Sequence, residues 1–206
     1  MAEKLKNTVK VAYVDTEGGP VPQAVGQISG TPTIKAFVPK RSSGRNEKAV
    51  VDYDQAREVS DLMRFATGRM PNYVETLDSA KALAAYTLKA SEWALPRVLV
   101  FSNKAGQTSS TLKALSADFR RRVLLGEVRS QRLPDAAKQH GVSTFPTLLC
   151  FAAGSEEGAE ATHRFENKEA TFRRLETFVS KCALRKPVLK KPDAGGGEGA
   201  AKKEEL

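Results

Sequence analysis

The chain has 206 residues, with 33 lysines and arginines, 24 acidic residues and a formal net charge of +9. Its hydrophobic fraction of 40% is ordinary for a folded protein, so the length predicts one or two domains with a buried core. No apolar run approaches the roughly 18 residues that a membrane-spanning helix needs. The polar start at Met1 carries no apolar signal-peptide region.

The residue pattern of positions 1–73 predicts strands and helices, with one polar loop between two of the strands. Apolar runs too short for a helix indicate strands, and apolar residues at helical spacing indicate an amphipathic helix that ends before Pro71. In chain order the predicted elements are a buried strand at Val9–Asp15, a short helix at Pro22–Gln27, a strand at Thr33–Val38, a hairpin loop at Lys40–Lys48, a returning strand at Ala49–Tyr53 and a helix at Arg57–Arg69.

The residue pattern from 74 to 186 predicts a longer series of helices and strands. Thr76 and Asp78 are candidate N-caps for a helix that runs to about Lys89. Leu112, Leu115 and Phe119 share the face of a second helix. The other predicted elements are strands at Arg97–Phe101, Val123–Val128, Thr147–Phe151 and Thr162–Phe165, and helices at Pro134–His140 and Lys168–Cys182. We interpret the region as a β-α-β-α-β-α-β-β-α succession, in which the eight assigned elements follow a first strand that has no assigned residues.

An internal repeat relates the two parts of the chain. Ile28–Phe37 and Val142–Phe151 both carry an X-Pro-Thr unit followed by an apolar run that ends in phenylalanine, and Pro32 and Pro146 are 114 positions apart. Proline cannot donate to a strand ladder, so it belongs at the start of each strand. A tight turn at this position is compatible with a cis X-Pro bond.

These residues resemble a known family. Gly30–Phe37 is similar to the cis-proline segment of thioredoxin-fold proteins, in particular of the protein disulfide isomerase family, and Thr144–Thr147 resembles the same segment in a more diverged domain. The resemblance implies an α/β protein with a thioredoxin-like fold, a mixed sheet with flanking helices. It implies one incomplete unit followed by one complete unit.

The resemblance also implies a domain organisation. Residues 1–73 correspond to the C-terminal half of a thioredoxin-like domain, since the strand that would lie between Val9–Asp15 and Thr33–Val38 has no counterpart in the chain. Residues 74–186 correspond to a redox-inactive thioredoxin-like domain, and residues 187–206 form a tail predicted to be disordered. We expect the absent front half to lie upstream, or the half-domain to dock on the second unit.

Thiol–disulfide exchange needs a reactive thiolate, usually within Cys-x-x-Cys. The chain has only Cys150 and Cys182, and the position of the motif in the second unit holds Ser102–Gln107, which contains no cysteine. We interpret the two cysteines as small, buried, unreactive side chains, and a structural bridge between them stays open. His140 and His163 are interpreted as capping or surface residues, so the sequence predicts no catalytic residue, metal site or cofactor.

The function left open is binding. By resemblance, the backbone before each cis-proline pairs with an extended peptide, which assigns a peptide-binding role to Thr31, Pro32, Phe145 and Pro146. Core packing is the alternative interpretation of Phe145. The predicted partners are unfolded or partly folded polypeptides. The basic run at residues 120–122 is interpreted as a solvated junction, so no nucleic-acid partner is expected.

The tail ends in Lys203, Glu204, Glu205 and Leu206, a close variant of the Lys-Asp-Glu-Leu retrieval signal. It predicts residence in the lumen of the endoplasmic reticulum and binding to a retrieval receptor, with the cytoplasm as the alternative. Three functions remain: a disulfide-isomerase-like protein that assists folding without catalysis, a cytosolic thioredoxin-like interaction protein, and an enzyme that uses Cys150 or Cys182 singly.

Overall fold

The computed structural model describes residues 1–40, 47–156, 158–166 and 169–192. The chain divides into two compact units: Met1–Tyr73 with Thr108–Asp118, and Val74–Gln107 with the residues from Phe119 onward. Within the described ranges, no helix has the length and apolar character required to cross a membrane.

The first unit contains a two-stranded antiparallel sheet and two helices. Strands β1 (Lys35–Pro39) and β2 (Lys48–Asp52) pair with Phe37 opposite Val50. Helix α1 (Val59–Gly68) buries Phe65, whose ring meets Tyr53 edge-on. Helix α3 (Ser110–Asp118), which the sequence assigned to the second domain, groups with this unit, and its Ser116 Oγ accepts a hydrogen bond from the Tyr73 N–H at 3.1 Å. Most of the predicted loop, residues 41–46, lies outside the described residues.

Two predicted elements of the first unit are wrong. Val9–Asp15 forms no strand, and its Tyr13 side chain is 87% exposed. The corresponding strand of the second unit lies between two parallel partners, whereas β1 and β2 pair only with each other among the described residues. An apolar segment without a neighbouring strand gains no ladder hydrogen bonds. The predicted helix at Pro22–Gln27 is only a 3₁₀ turn at Gln23–Val25, which ends at Gly26 with φ of +72°.

The second unit is built on a five-stranded mixed sheet. Its strands are β3 (Glu75–Leu77), β4 (Arg97–Ser102), β5 (Leu124–Arg129), β6 (Thr147–Phe151) and β7 (His163–Glu166). The spatial order is β3-β5-β4-β6-β7, with β3, β4 and β5 parallel and β6 and β7 antiparallel to their neighbours. All residues of the two central strands, β4 and β6, are buried, which explains their continuous apolar runs.

Three helices belong to this unit: α2 (Ala80–Glu92), α4 (Pro134–Gln139) and α5 (Phe172–Cys182). Counted along the chain with α3, and with β3 as the first strand, the elements follow the β-α-β-α-β-α-β-β-α order predicted for residues 74–186. The predicted N-caps of α2 are wrong: Thr76 lies within β3 and Asp78 just after it, and the Ser79 hydroxyl accepts the Ala82 N–H at 3.2 Å. The three-residue strand β3 shifts the start of the helix.

The helices cover both faces of the sheet. A core cluster on one face includes Tyr86 from α2, Ala136 and Ala137 from α4, and Leu149 and Phe151 from β6. Side chains alternate along a strand, so residues 148 and 150 of β6 point to the opposite face. Helix α5 buries Leu175, Phe178 and Val179, and Phe172 at its first position is partly buried.

Candidate functional site

The ends of three strands meet at one edge of the sheet in the second unit. Because β3, β4 and β5 are parallel, their carboxyl ends lie side by side, with Leu77 opposite Val128 and Ser102 opposite Arg129. Strand β6 runs the other way and begins here, since Thr147 pairs with Phe101. We call this the carboxyl edge and define it as residues 78–79, 102–107, 129–132 and 143–147. Ligands of open α/β sheets bind at edges of this kind.

The loop at residues 103–107 is held by hydrogen bonds to its main chain. Arg129 donates to the Lys104 carbonyl at 2.8 Å, and the Gln131 amide donates to the Asn103 carbonyl at 3.0 Å. The Ser102 hydroxyl accepts the Lys104 N–H at 3.2 Å. Sequence reasoning missed Arg129 and Gln131, although their place at the end of a strand parallel to β4 was a usable signal.

The charges beneath this loop are compensated. The Arg129 guanidinium lies 3.3 Å from the Glu127 carboxylate, and both side chains are nearly buried. At the rim, Arg132 forms an ion pair with Asp78 at 3.1 Å. Among the described residues, the Ser130 Oγ is the buried side-chain polar atom without a hydrogen-bond partner. The polar side chains of the loop Ser102–Gln107 are hydroxyl, amide and ammonium groups, and the loop offers no thiolate.

The predicted segment Phe145–Pro146 lies at the start of β6, and its peptide bond is cis. The Thr147 hydroxyl donates to the Thr144 carbonyl at 2.7 Å, which closes the turn. Phe145 packs against the core cluster on the α2 and α4 face, so its side chain has a structural role. The ladders of β6 begin at Thr147, and the peptide groups of Phe145 therefore lie outside the sheet.

The first copy of this segment has the same local geometry. The Thr31–Pro32 bond is cis, and the Thr33 hydroxyl donates to the Gly30 carbonyl at 2.5 Å. Arg57 donates to the Pro32 carbonyl at 3.1 Å, a contact to which the second copy has no counterpart among the described hydrogen bonds. Both predicted proline turns are thus formed, each within its own unit.

The two cysteines are bonded to each other, so the structural bridge that the sequence left open is present. Cys150 and Cys182 form a disulfide with their Cα atoms 6.1 Å apart. Cys150 is 2% exposed and lies on the face of β6 opposite the core cluster, and Cys182 is the last residue of α5. Four residues of strand, about 13 Å, separate Cys150 from Pro146. The bridge therefore links α5 covalently to β6, and its sulfur atoms lie away from the carboxyl edge.

His140 closes α4 as its C-cap, as predicted, and its ring meets those of Phe101 and Phe151 edge-on at 5.8 and 5.6 Å. Burial is the main cause that lowers the pKa of this imidazole, and the nearby Arg97 and Arg164 lower it further. Arg164 donates to the carbonyls of His140 and Gly141 at 2.9 and 2.7 Å. A pocket of about 320 Å³ opens beside these residues.

We expect the free energy of unfolding to fall as the pH drops below about 6.5, the ordinary pKa of histidine. His140 takes up a proton more readily in the unfolded chain than in the folded one, so its stabilising contribution is present above that pH and is lost below it. Urea unfolding at pH 7.5 and 5.5 measures the loss. His140→Gln should reduce it, and His163→Gln, a change at an exposed histidine, should leave it in place. An equal loss in the His140→Gln variant would contradict the assignment.

Comparison with known proteins gives the same fold. No protein-family model matches the chain. A Dictyostelium discoideum protein, named provisionally as a protein disulfide-isomerase, is 27% identical over 187 residues, covering 88% of this chain and 43% of the relative. The chain thus spans less than half the length of that relative. The crystal structure of ERdj5 in its form II is 17% identical, with a TM-score of 0.61, covering 86% of this chain and 23% of the other.

The structural likeness and the strand order agree with each other. At this level of identity the ERdj5 structure is evidence for the fold alone. The mixed sheet, the helices on both faces and the proline turn at the start of β6 match the architecture that the family resemblance implies. The chain is a mixed α/β protein with a thioredoxin-like fold.

Proposed function

We propose that this chain is a non-catalytic, peptide-binding part of a disulfide-isomerase-like protein that assists protein folding. The observation that carries the proposal is the composition of the carboxyl edge. A proline turn stands beside a tethered loop, Ser102–Gln107, that contains no thiol, and both cysteines are joined elsewhere. The similarity to a relative named as a protein disulfide-isomerase supports the family.

The proposed binding mode is pairing with the main chain. The peptide groups of Phe145 take no part in the ladders of β6, so an extended segment of an unfolded polypeptide can pair with them. Phe145 turns its ring to the core, and the exposed side chains nearby, Asn103 and Lys104, are polar. Because every amino acid can form main-chain hydrogen bonds, this mode of binding places few restrictions on the sequence of the bound polypeptide. The equivalent segment Thr31–Pro32 is the second proposed contact.

The absence of catalysis is tested by insulin reduction. We expect the chain to reduce insulin disulfides in the presence of dithiothreitol no faster than its Cys150→Ala/Cys182→Ala variant. The physical reason is that exchange needs an accessible thiolate, and Cys150 is 2% exposed within its disulfide. Activity in the unmodified chain that the double substitution removes would favour the alternative of an enzyme that uses these cysteines.

Peptide binding is tested with a fluorescent, reduced and alkylated ribonuclease as the unfolded probe. Ser143 is exposed at the carboxyl edge, and Ser143→Trp places a bulky ring beside the peptide groups of Phe145. Ala153 is exposed beyond the other end of β6, so Ala153→Trp is the matched control. We expect Ser143→Trp to weaken binding about tenfold, which corresponds to about 1.4 kcal/mol, and the control to leave it unchanged. Equal affinities in both variants would refute this site.

The proposal includes location and domain origin. We place the protein in the lumen of the endoplasmic reticulum, since disulfides persist in oxidising compartments and the chain ends in a retrieval-type sequence, which lies outside the described residues. Residues 1–73 are proposed to be the C-terminal half of a thioredoxin-like domain. The cytosolic interaction protein remains the alternative.

The retrieval signal is tested in secreting cells with a leader peptide supplied upstream. We expect the intact chain to stay in the cells and a chain lacking residues 203–206 to appear in the medium. Secretion of both forms would remove the retrieval receptor from the list of partners and would favour the alternative.

A further inference from the structure

Two segments of the second unit are rich in basic residues and contain no acidic residue. Residues 119–125 hold three arginines, and residues 181–192 hold five lysines and arginines. The first segment connects α3 to β5, and the second follows the end of α5. About 60 positions separate them in sequence, so the pattern along the chain does not reveal that they belong together.

Hydrogen bonds join the two segments. The Leu184 N–H donates to the Arg122 carbonyl at 2.9 Å, and the Arg122 guanidinium donates to the Leu184 carbonyl at 2.7 Å. Further along, the Val188 N–H donates to the Arg121 carbonyl at 2.8 Å. We call the resulting surface the basic face and define it as residues 120–122 and 181–191.

Several charges of this face are available to a partner. Arg121, Arg185, Lys186 and Lys190 are exposed and have no acidic partner among the described ion pairs. Lys191, by contrast, is paired with Glu92 at 3.0 Å. Closely spaced like charges such as the first four raise the local potential and attract a partner of opposite charge.

The backbone of Arg121 is a separate observation. Its φ is +61°, in the left-handed region that favours glycine or asparagine and disfavours long side chains. Such conformations cluster at functional sites. An arginine at this turn therefore indicates a functional role for its exposed guanidinium group.

We propose that the basic face binds an acidic stretch of polypeptide, a run of aspartate and glutamate residues. Arginine guanidinium groups bind carboxylates through paired hydrogen bonds. A nucleic acid fits less well, because the only aromatic residue of the two segments is Phe119, which is 5% exposed and cannot stack on a base. A membrane surface fits less well too, because Leu189 is the only large apolar side chain that the face exposes.

The proposal is tested with a fluorescein-labelled peptide of ten glutamates, followed by anisotropy. The charge-reversed variant is Arg121→Glu/Arg185→Glu/Lys186→Glu. The matched control, Lys81→Glu/Lys138→Glu/Arg173→Glu, makes the same change in net charge at exposed positions on three helices. We expect the affinity to fall about tenfold or more in the first variant and less than about threefold in the control. Raising the salt from 50 to 300 mM should weaken binding by the unmodified chain.

Other outcomes would overturn the proposal. An equal loss in the two variants would assign the binding to net charge alone. Tighter binding to anionic vesicles or to single-stranded RNA than to the peptide would change the class of partner. Each variant is checked by its urea midpoint, which should match that of the unmodified chain since all the substituted side chains are exposed. The alkylated ribonuclease assay at the carboxyl edge is independent of this result.

Discussion

Opening the bridge between Cys150 and Cys182 is expected to lower the free energy of unfolding by about 3 to 4 kcal/mol. The disulfide joins residues that are 32 positions apart, and closing a loop of that length removes this much entropy from the unfolded chain in the loop-closure treatment. The bridge also fixes α5 to β6. Urea unfolding of the Cys150→Ala/Cys182→Ala variant against the unmodified chain measures the loss.

Reduction gives an independent check of the same quantity. Dithiothreitol should shift the urea midpoint of the unmodified chain toward that of the double variant, and should leave the double variant where it is. Alanine is preferred to serine because Cys150 is buried, and a buried hydroxyl would add its own desolvation cost. A midpoint that responds neither to reduction nor to substitution would show that the bridge contributes nothing to stability.

Gly126→Ala is expected to cost about 1 to 3 kcal/mol, the usual range for overpacking a buried site. A methyl group at residue 126 would lie 2.7 Å from the Leu77 Cδ1 atom and 2.8 Å from the Tyr86 Cζ atom. The Tyr86 ring cannot move aside easily, because its hydroxyl donates to the carbonyls of Val98 and Leu124 at 3.0 and 2.8 Å. Burial also raises the pKa of this hydroxyl well above its usual value, so it remains a donor at neutral pH.

The matched control is Gly106→Ala, in the loop of the carboxyl edge. An added methyl group there meets no atom within 4 Å, so we expect a change of no more than about 0.5 kcal/mol. Thermal or urea unfolding of the two variants side by side gives the comparison. If Gly126→Ala proved as mild as Gly106→Ala, the close contact of Gly126 with the ring would not constrain the fold.

Most strands of the second unit could be predicted because each of these is recognisable from the pattern of its own residues. Val98–Phe101 and Leu148–Phe151 are continuous apolar runs, since both faces of those strands are covered. Val9–Asp15 has a similar composition and forms no strand, because a strand depends on its neighbours as well as on its own residues. The three-residue strand Glu75–Leu77 was too short to leave a pattern.

Local sequence likewise predicts some features of the candidate site and not others. The proline turn at Phe145–Pro146 and the absence of a thiol at residues 102–107 follow from local sequence. The disulfide and the tethers from Arg129 and Gln131 do not, since each connects residues 25 to 32 positions apart. Such contacts depend on the strand order, which sequence periodicity does not supply.

The way the loop after β4 is held bears on how such domains diverge. Ser130 donates its N–H to the Ser102 carbonyl, and Arg129 and Gln131 donate to the carbonyls of Lys104 and Asn103. A carbonyl is common to every amino acid, so these tethers survive almost any exchange of side chain in the loop. Point mutations in this loop, including the introduction of a cysteine, can therefore change the chemistry of the carboxyl edge while its scaffold persists.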